Sequence, residues 1–203
     1  MKKSLFGWLT IVMMAFVCVG FAACGGDDDG DGGGSSGGSG SGAMGGNGVS
    51  FNFNKAYFYA ESGGNGKVNY VIQIFNCDYY TAIQRQDASM LPNELQSMNI
   101  MFSAEGTTTA IPTGEFVPFE ALAVSIKKDD LINQTDEHGN QYAAHGDTMP
   151  LKISKSGNNY TISFGEMDFV NVFKGNDQTA DFTSAFSYTG TLTAVPEGYF
   201  SVE

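Results

Sequence analysis

The sequence predicts an all-β fold: an antiparallel β-sandwich of about seven to nine strands, with a closed β-barrel as the alternative. Three observations predict it. Apolar and polar residues alternate with a period of two in several segments of the chain. Clusters of Gly, Asn, Asp and Pro, which favour turns, separate those segments. No segment keeps the 3.6-residue period of an amphipathic helix.

The first half of the foldable region is expected to supply four strands. Residues 49–60 alternate as in a half-buried strand, and residues 67–77 are apolar on both faces, which predicts a central strand. Residues 98–103 and 121–127 alternate again. The segment between the second and third strands is irregular, and Pro92 favours a single helical turn there.

The second half is expected to form a hairpin and a closing strand. Residues 128–148 are polar and rich in turn formers, which predicts a long loop. Residues 149–154 and 160–164 alternate on either side of Ser-Gly-Asn-Asn, the strongest hairpin signal in the chain. Residues 182–193 alternate large apolar residues with Ser and Thr, as expected of a strand that covers the core with one face.

The chain divides into three parts by composition. Residues 1–23 have the layout of a secretory signal: a basic start at Lys2 and Lys3, an uncharged apolar stretch and small residues at its end. Residues 24–48 are dominated by Gly, Ser and Asp, a composition that predicts a disordered tether because it buries too little apolar surface. Residues 49–203 are expected to form one β-rich domain with its own core.

The end of the first part, Phe21-Ala22-Ala23-Cys24, resembles the lipobox of bacterial lipoproteins. The resemblance implies that the Cys24 thiol receives a diacylglyceryl group and that the signal is cleaved just before it. Several acyl chains on one residue would make a permanent membrane anchor. An ordinary cleaved signal and an uncleaved transmembrane anchor are the two alternatives.

An acidic cluster follows the cysteine, formed by Asp27, Asp28, Asp29 and Asp31. This arrangement resembles the export signal of surface-exposed lipoproteins of the Bacteroidota phylum. The resemblance implies an outer-membrane protein on the cell surface. The simpler interpretation is a solvated charge run within a linker.

Charge and cysteine content exclude several function classes. The net charge of −12 disfavours binding to nucleic acid. Cys77 is the only cysteine beyond the anchor, so the domain has no internal disulfide, and its apolar neighbours predict a buried side chain. The sequence has no nucleophile elbow, zinc-protease motif or phosphate loop, so we expect neither an enzyme nor a bound cofactor.

Tyr79 and Tyr80 are the candidate ligand-binding residues. They follow a strand and precede an irregular segment, where aromatic faces can stack on sugar rings. Packing in the core is the alternative role. His138 and His145 share the long polar loop with several carboxylates, but their spacing matches no metal-binding pattern, and we expect no metal there.

Asp147-Thr148-Met149 resembles the sequon of Bacteroidota O-glycosylation, which would place a sugar on Thr148. Together these features predict a lipid-anchored envelope protein, exposed on the cell surface, that presents a non-catalytic binding or adhesion domain. Its ligand would be a glycan, a host protein or a partner in a surface complex. The alternatives are a structural or accessory protein facing the periplasm and a small-ligand barrel of lipocalin type.

Overall fold

The computed structural model describes residues 39–133, 135–136, 138–145, 150–174 and 179–195. Over these residues the chain is mostly strand, which confirms the all-β class. Two short helices are present, α1 (Tyr79–Gln84) and α2 (Lys128–Asn133), with single 3-10 turns at Gly64–Gly66 and Ala88–Met90. The strands are β1 Gly40–Gly46, β2 Val49–Phe53, β3 Lys55–Ser62, β4 Val68–Phe75, β5 Glu94–Ala104, β6 Gly114–Phe116, β7 Pro118–Lys127, β8 Asn140–His145, β9 Leu151–Ser156, β10 Asn159–Asn171, β11 Phe182–Gly190 and β12 Leu192–Ala194.

All twelve described strands belong to one mixed sheet. Its hydrogen-bonded order is β12-β3-β4-β5-β7-β8-β10-β11-β1-β2, while β9 pairs with β10 and β6 with β9. Among the described strand pairs, only that of β12 with β3 is parallel. The path ends at β12 and at β2 and does not close into a barrel. The structure therefore confirms neither the sandwich nor the predicted number of strands.

The sheet has a core on each face. The main core is rich in aromatic residues from β2, β4, β5, β10 and β11. The outer core lies where α1, the 3-10 turn at Ala88–Met90 and α2 cover the strands β3, β4, β5 and β7. The prediction that β4 is central and covered on both faces is confirmed, since seven of its eight residues are buried.

The alternation over residues 49–60 spans two strands rather than one. The strand is interrupted at Asn54, whose N–H donates to the Phe75 carbonyl at 2.8 Å. Before the break the odd-numbered residues face the main core, and after it the even-numbered residues do. Phe53 therefore packs in the main core, whereas Tyr57, an even number of residues later, packs in the outer core.

The structure differs from the predicted tether over residues 24–48, because β1 lies within that range. This strand pairs with β11 on one side and β2 on the other. Its glycines allow close packing: a Cβ on Gly42 would lie 2.8 Å from the Ser187 carbonyl oxygen. Within Gly40–Gly46, a composition typical of a linker is therefore the composition of a tightly packed strand.

Two local predictions are wrong. The range 128–148, expected to be a long loop, contains α2 and β8, and β8 pairs with β7 and β10. Its strand residues are mostly small or polar, so the alternation is weak. The helical turn expected at Pro92 is absent, and α1 forms earlier because Asp78 caps it by accepting a hydrogen bond from the Thr81 N–H at 3.1 Å.

The predicted hairpin is confirmed. β9 and β10 pair in register up to Ser156 and Asn159, joined by a two-residue turn. Gly157 in that turn has a φ of 59°, a value that favours glycine. Among the described residues, no helix is long and apolar enough to cross a lipid bilayer.

Candidate functional site

The two tyrosines proposed to stack on sugars do not form an exposed platform. Tyr79 is 1 % exposed, and its ring stacks on Phe75 at a centroid distance of 4.6 Å. Tyr80 is half-buried, with its ring 5.7 Å from that of Tyr57. Both belong to the outer core, which matches the alternative role considered for them. Tyr79 therefore has no accessible face for a sugar ring.

Asp78 organises the same region. Its Oδ1 accepts a hydrogen bond from the Tyr57 hydroxyl at 2.7 Å as well as from the Thr81 N–H. Burial raises the Asp78 pKa, but the hydrogen bonds from Tyr57 and Thr81 lower it more, so the pKa lies below its usual value. Burial and the bond to Asp78 together raise the pKa of Tyr57. The arrangement caps α1 and joins the helix to β3.

Cys77 lies beside this carboxylate and is half-buried. Burial, together with the charge of Asp78, raises the pKa of the Cys77 thiol to about 12. The thiol is therefore protonated at neutral pH. This agrees with the predicted role of Cys77 as a small apolar side chain, because the thiolate is the reactive form.

The two histidines do not converge. His138 precedes β8 and His145 ends it, so the length of the strand separates them. His138 lies in a turn fixed by Asp136, whose Oδ1 accepts from the His138 N–H at 3.1 Å and the Gly139 N–H at 3.0 Å. Within the part of the chain that is described, no group of three or more His, Cys, Asp and Glu side chains is placed to hold a metal ion.

An exposed pair of rings lies near the start of β8. The ring of Phe173, just after β10, is 5.7 Å from the His138 ring at an interplanar angle of 43°. Phe173 is 55 % exposed, and His138 is exposed as well. The Phe173 N–H donates to Asn171 Oδ1 at 2.9 Å, which fixes the backbone that carries the ring. We call Phe173 and His138 the ring pair.

Charged groups lie next to the ring pair along the chain. Lys174 Nζ is 2.9 Å from Asp181 Oδ1, and the other Asp181 oxygen accepts from the Asn171 N–H at 2.7 Å. The carboxylate thus joins the end of β10 to the start of β11. Phe173 is adjacent in the chain to Lys174, so an apolar ring and a hydrogen-bonding ion pair follow one another after β10.

A different exposed surface lies across β9, β10, β11 and β1. Ser154, Thr161, Thr189 and Ser41 lie opposite one another in successive strands. The hydroxyl oxygens of Thr161 and Thr189 are 3.1 Å apart. This hydroxyl row contains neither aromatic rings nor charges, and it serves as a control surface for the ring pair.

Several predicted site residues lie outside the described residues: Cys24, Asp27, Asp28, Asp29, Asp31 and Thr148. Comparisons of the chain with protein-family models, curated proteins and solved structures found no match. The sequence interpretation did not single out Phe173, because it is the last residue of a short apolar run, residues 169–173. The turn formers Gly175, Asn176 and Asp177, which follow soon after it, were the signal that the strand ends close to this phenylalanine.

Proposed function

We propose that this protein is a lipid-anchored envelope lipoprotein whose folded domain binds glycans without catalysis. The observation that carries the proposal is the ring pair. Single exposed apolar side chains such as Phe119 are common on protein surfaces, but Phe173 and His138 place two exposed rings in contact. The apolar face of a sugar ring stacks on a flat aromatic ring, while its hydroxyls bond to polar groups around it.

The chemistry around the ring pair favours a neutral sugar. Lys174 and Asp181 form an ion pair next to Phe173 in the chain, and the Asp136 carboxylate lies in the turn of His138. These groups together carry no net positive charge that would favour an anionic sugar. Both partners of such a pair can still exchange hydrogen bonds with hydroxyls. The overall charge of −12 disfavours polyanionic ligands. A neutral oligosaccharide, bound where β10 ends at Asn171, is the ligand class that fits.

The proposed anchor rests on the resemblance of Phe21-Ala22-Ala23-Cys24 to a lipobox, and the proposed cell-surface location on the acidic cluster that follows. β1 begins at Gly40. The segment between the lipidated cysteine and β1 is then about 15 residues, with a reach of at most about 50 Å. This reach is shorter than that of a tether that extends to residue 48.

Glycan binding is tested with the full chain on an array of neutral oligosaccharides, followed by calorimetry on any sugar that is retained. Phe173→Ala and His138→Ala are expected to weaken binding at least about 10-fold, corresponding to roughly 1.4 kcal/mol. Thr189→Ala, in the hydroxyl row, is the matched control and should bind like the wild type. Circular dichroism verifies that all variants fold. Equal binding by Phe173→Ala and Thr189→Ala would reject the ring pair as the site.

The location is tested by protease shaving of intact native cells. The wild-type domain should be cleaved, and a variant with Asp27, Asp28 and Asp29 changed to Ala should be protected. Cys24→Ala should leave the membrane fraction altogether. If both the wild type and the Asp variant are protected, the domain faces the periplasm, and the accessory envelope role replaces the surface role.

A further inference from the structure

Two amide side chains lie side by side in the outer core. Gln73 on β4 and Asn99 on β5 are directly opposite in the antiparallel register. They are 2 % and 4 % exposed. On either side of the pair, Tyr57 on β3 lies opposite Gln73, and Leu122 on β7 lies opposite Asn99. A polar pair therefore occupies the centre of an apolar sheet face.

The acceptor atoms of both amides receive no hydrogen bond from the residues that the structure describes. Gln73 Oε1 and Asn99 Oδ1 are fully buried, and no donor among the described residues bonds to either. Buried carbonyl oxygens in native proteins almost always have a partner, because removing them from water without one is costly. Two such atoms on directly opposite residues point to a shared partner.

The surrounding groups do not supply that donor. The Tyr57 hydroxyl, which lies in the same row, donates to Asp78. The Tyr79 hydroxyl is also buried in the outer core, but it donates to neither amide oxygen. Above and below Gln73 along β4, the same face carries Val71 and Phe75. The layer that covers this face packs on it with apolar side chains such as Ala82 and Leu91. A partner for both oxygens must therefore donate two hydrogen bonds and be small enough to fit under this layer.

We propose that Gln73 and Asn99 form a binding site for one ordered water molecule between the sheet and its outer helical layer. Directly opposite residues in an antiparallel pair have Cβ atoms about 4.5–5.5 Å apart, so their side-chain oxygens are within reach of one water. A water donates one proton to each oxygen, and its two donors match the two acceptors. The ligand is neutral, which suits a site otherwise lined by apolar groups.

The direct test is a crystal structure of the full chain at about 1.2 Å resolution or better, where solvent and amide orientation are defined. A solvent peak within about 3.2 Å of both oxygens supports the proposal. A direct Gln73–Asn99 amide bond without a solvent peak overturns it.

A stability cycle tests the same site in solution. Gln73→Met and Asn99→Leu replace each amide by an apolar side chain of similar size. With a shared water, each single variant should lower the melting temperature by about 2–4 °C, and the double variant should recover much of that loss. If the oxygens have no partner, each single variant raises the melting temperature, and the proposal fails. The crystal structure decides the question if a variant does not fold.

Discussion

The side chain of Gln96 hydrogen-bonds to the backbone of Asn52, although the two residues belong to strands that are not paired. The Asn52 N–H donates to Gln96 Oε1 at 3.0 Å, and Gln96 Nε2 donates to the Ser50 carbonyl at 2.8 Å. β2 is the last strand of the hydrogen-bonded path. One amide therefore satisfies a donor and an acceptor on an edge strand, which would otherwise offer them to another chain.

Replacing Gln96 with methionine, which is similar in size, should destabilise the protein. The variant leaves the Asn52 N–H and the Ser50 carbonyl without this partner, at a cost of about 1–3 kcal/mol in the free energy of unfolding. Urea denaturation measures the change. Gln84→Met, at the exposed end of α1, is the control and should stay within about 0.5 kcal/mol of the wild type. Equal stability of the two variants would show that the bonds to β2 contribute nothing.

Gly42→Ala tests whether the glycine-rich segment is a strand in solution. The added Cβ would meet backbone atoms, the Ser187 carbonyl oxygen at 2.8 Å and Tyr188 Cα at 3.1 Å, and these cannot move independently of β11. We expect a loss of about 1–3 kcal/mol in unfolding free energy. Gly64→Ala is the matched control, because a Cβ there meets open space. Two indistinguishable unfolding curves would mean that β1 does not pack on β11.

Acid should destabilise the protein in part through Asp78. Its pKa is lowered in the folded state, so the folded protein binds a proton there less readily than the unfolded chain. The stabilisation is present above the unfolded pKa of about 3.9 and is lost as the pH falls through the folded value. Asp78→Asn keeps a residue suited to the N-cap but removes the titration.

The measurement for Asp78 is the unfolding free energy between pH 2 and pH 7, within the range where the wild type refolds. The wild-type curve should fall more steeply at low pH than the Asp78→Asn curve. Tyr57→Phe removes one of the hydrogen bonds that lower the pKa and should give an intermediate slope. Superimposable curves for the wild type and Asp78→Asn would contradict the assignment.

The Cys77 thiol should be unreactive in the folded protein. Its pKa is raised from 9.0 to about 12, so at pH 8 the thiolate fraction is about 1000-fold lower than in the unfolded chain. Alkylation by iodoacetamide, followed by mass spectrometry of the Cys77 peptide, should be slower by a similar factor without urea than with it. Asp78→Asn should speed the reaction by removing a negative charge beside the thiol. Equal rates in the folded and unfolded protein would refute the burial of Cys77.

Local alternation by itself predicted the all-β class and the β9–β10 hairpin, because strand periodicity and turn residues are properties of neighbouring positions. The same local information misread residues 49–60. A break at one residue, Asn54, exchanges the two faces. Lys55 interrupts the aromatic row beside it, but the same parity resumes at Tyr57, so the exchange of faces does not show in the alternation. The strand β8 within the range 128–148 was not predicted, because its mostly small or polar residues give only a weak alternation.

The site was less predictable than the fold. Tyr79 and Tyr80 were reasonable candidates from their position after a strand, but burial depends on what packs over them, and the outer core is built from segments distant in sequence. The ring pair joins residues from the segments before β8 and after β10, which only the pairing of those strands brings together.

The sequence alone determined the strand-rich class, the acidic charge, the single cysteine of the domain and the resemblance to a lipoprotein signal. Only the tertiary structure decided that a glycine-rich stretch is the strand β1. Glycine has no side chain with which to mark a buried face, and its role depends on the atoms it approaches. The tertiary structure also decides that Gln73 and Asn99 lie together, because two amides 26 residues apart in the sequence become neighbours only through the register of β4 on β5.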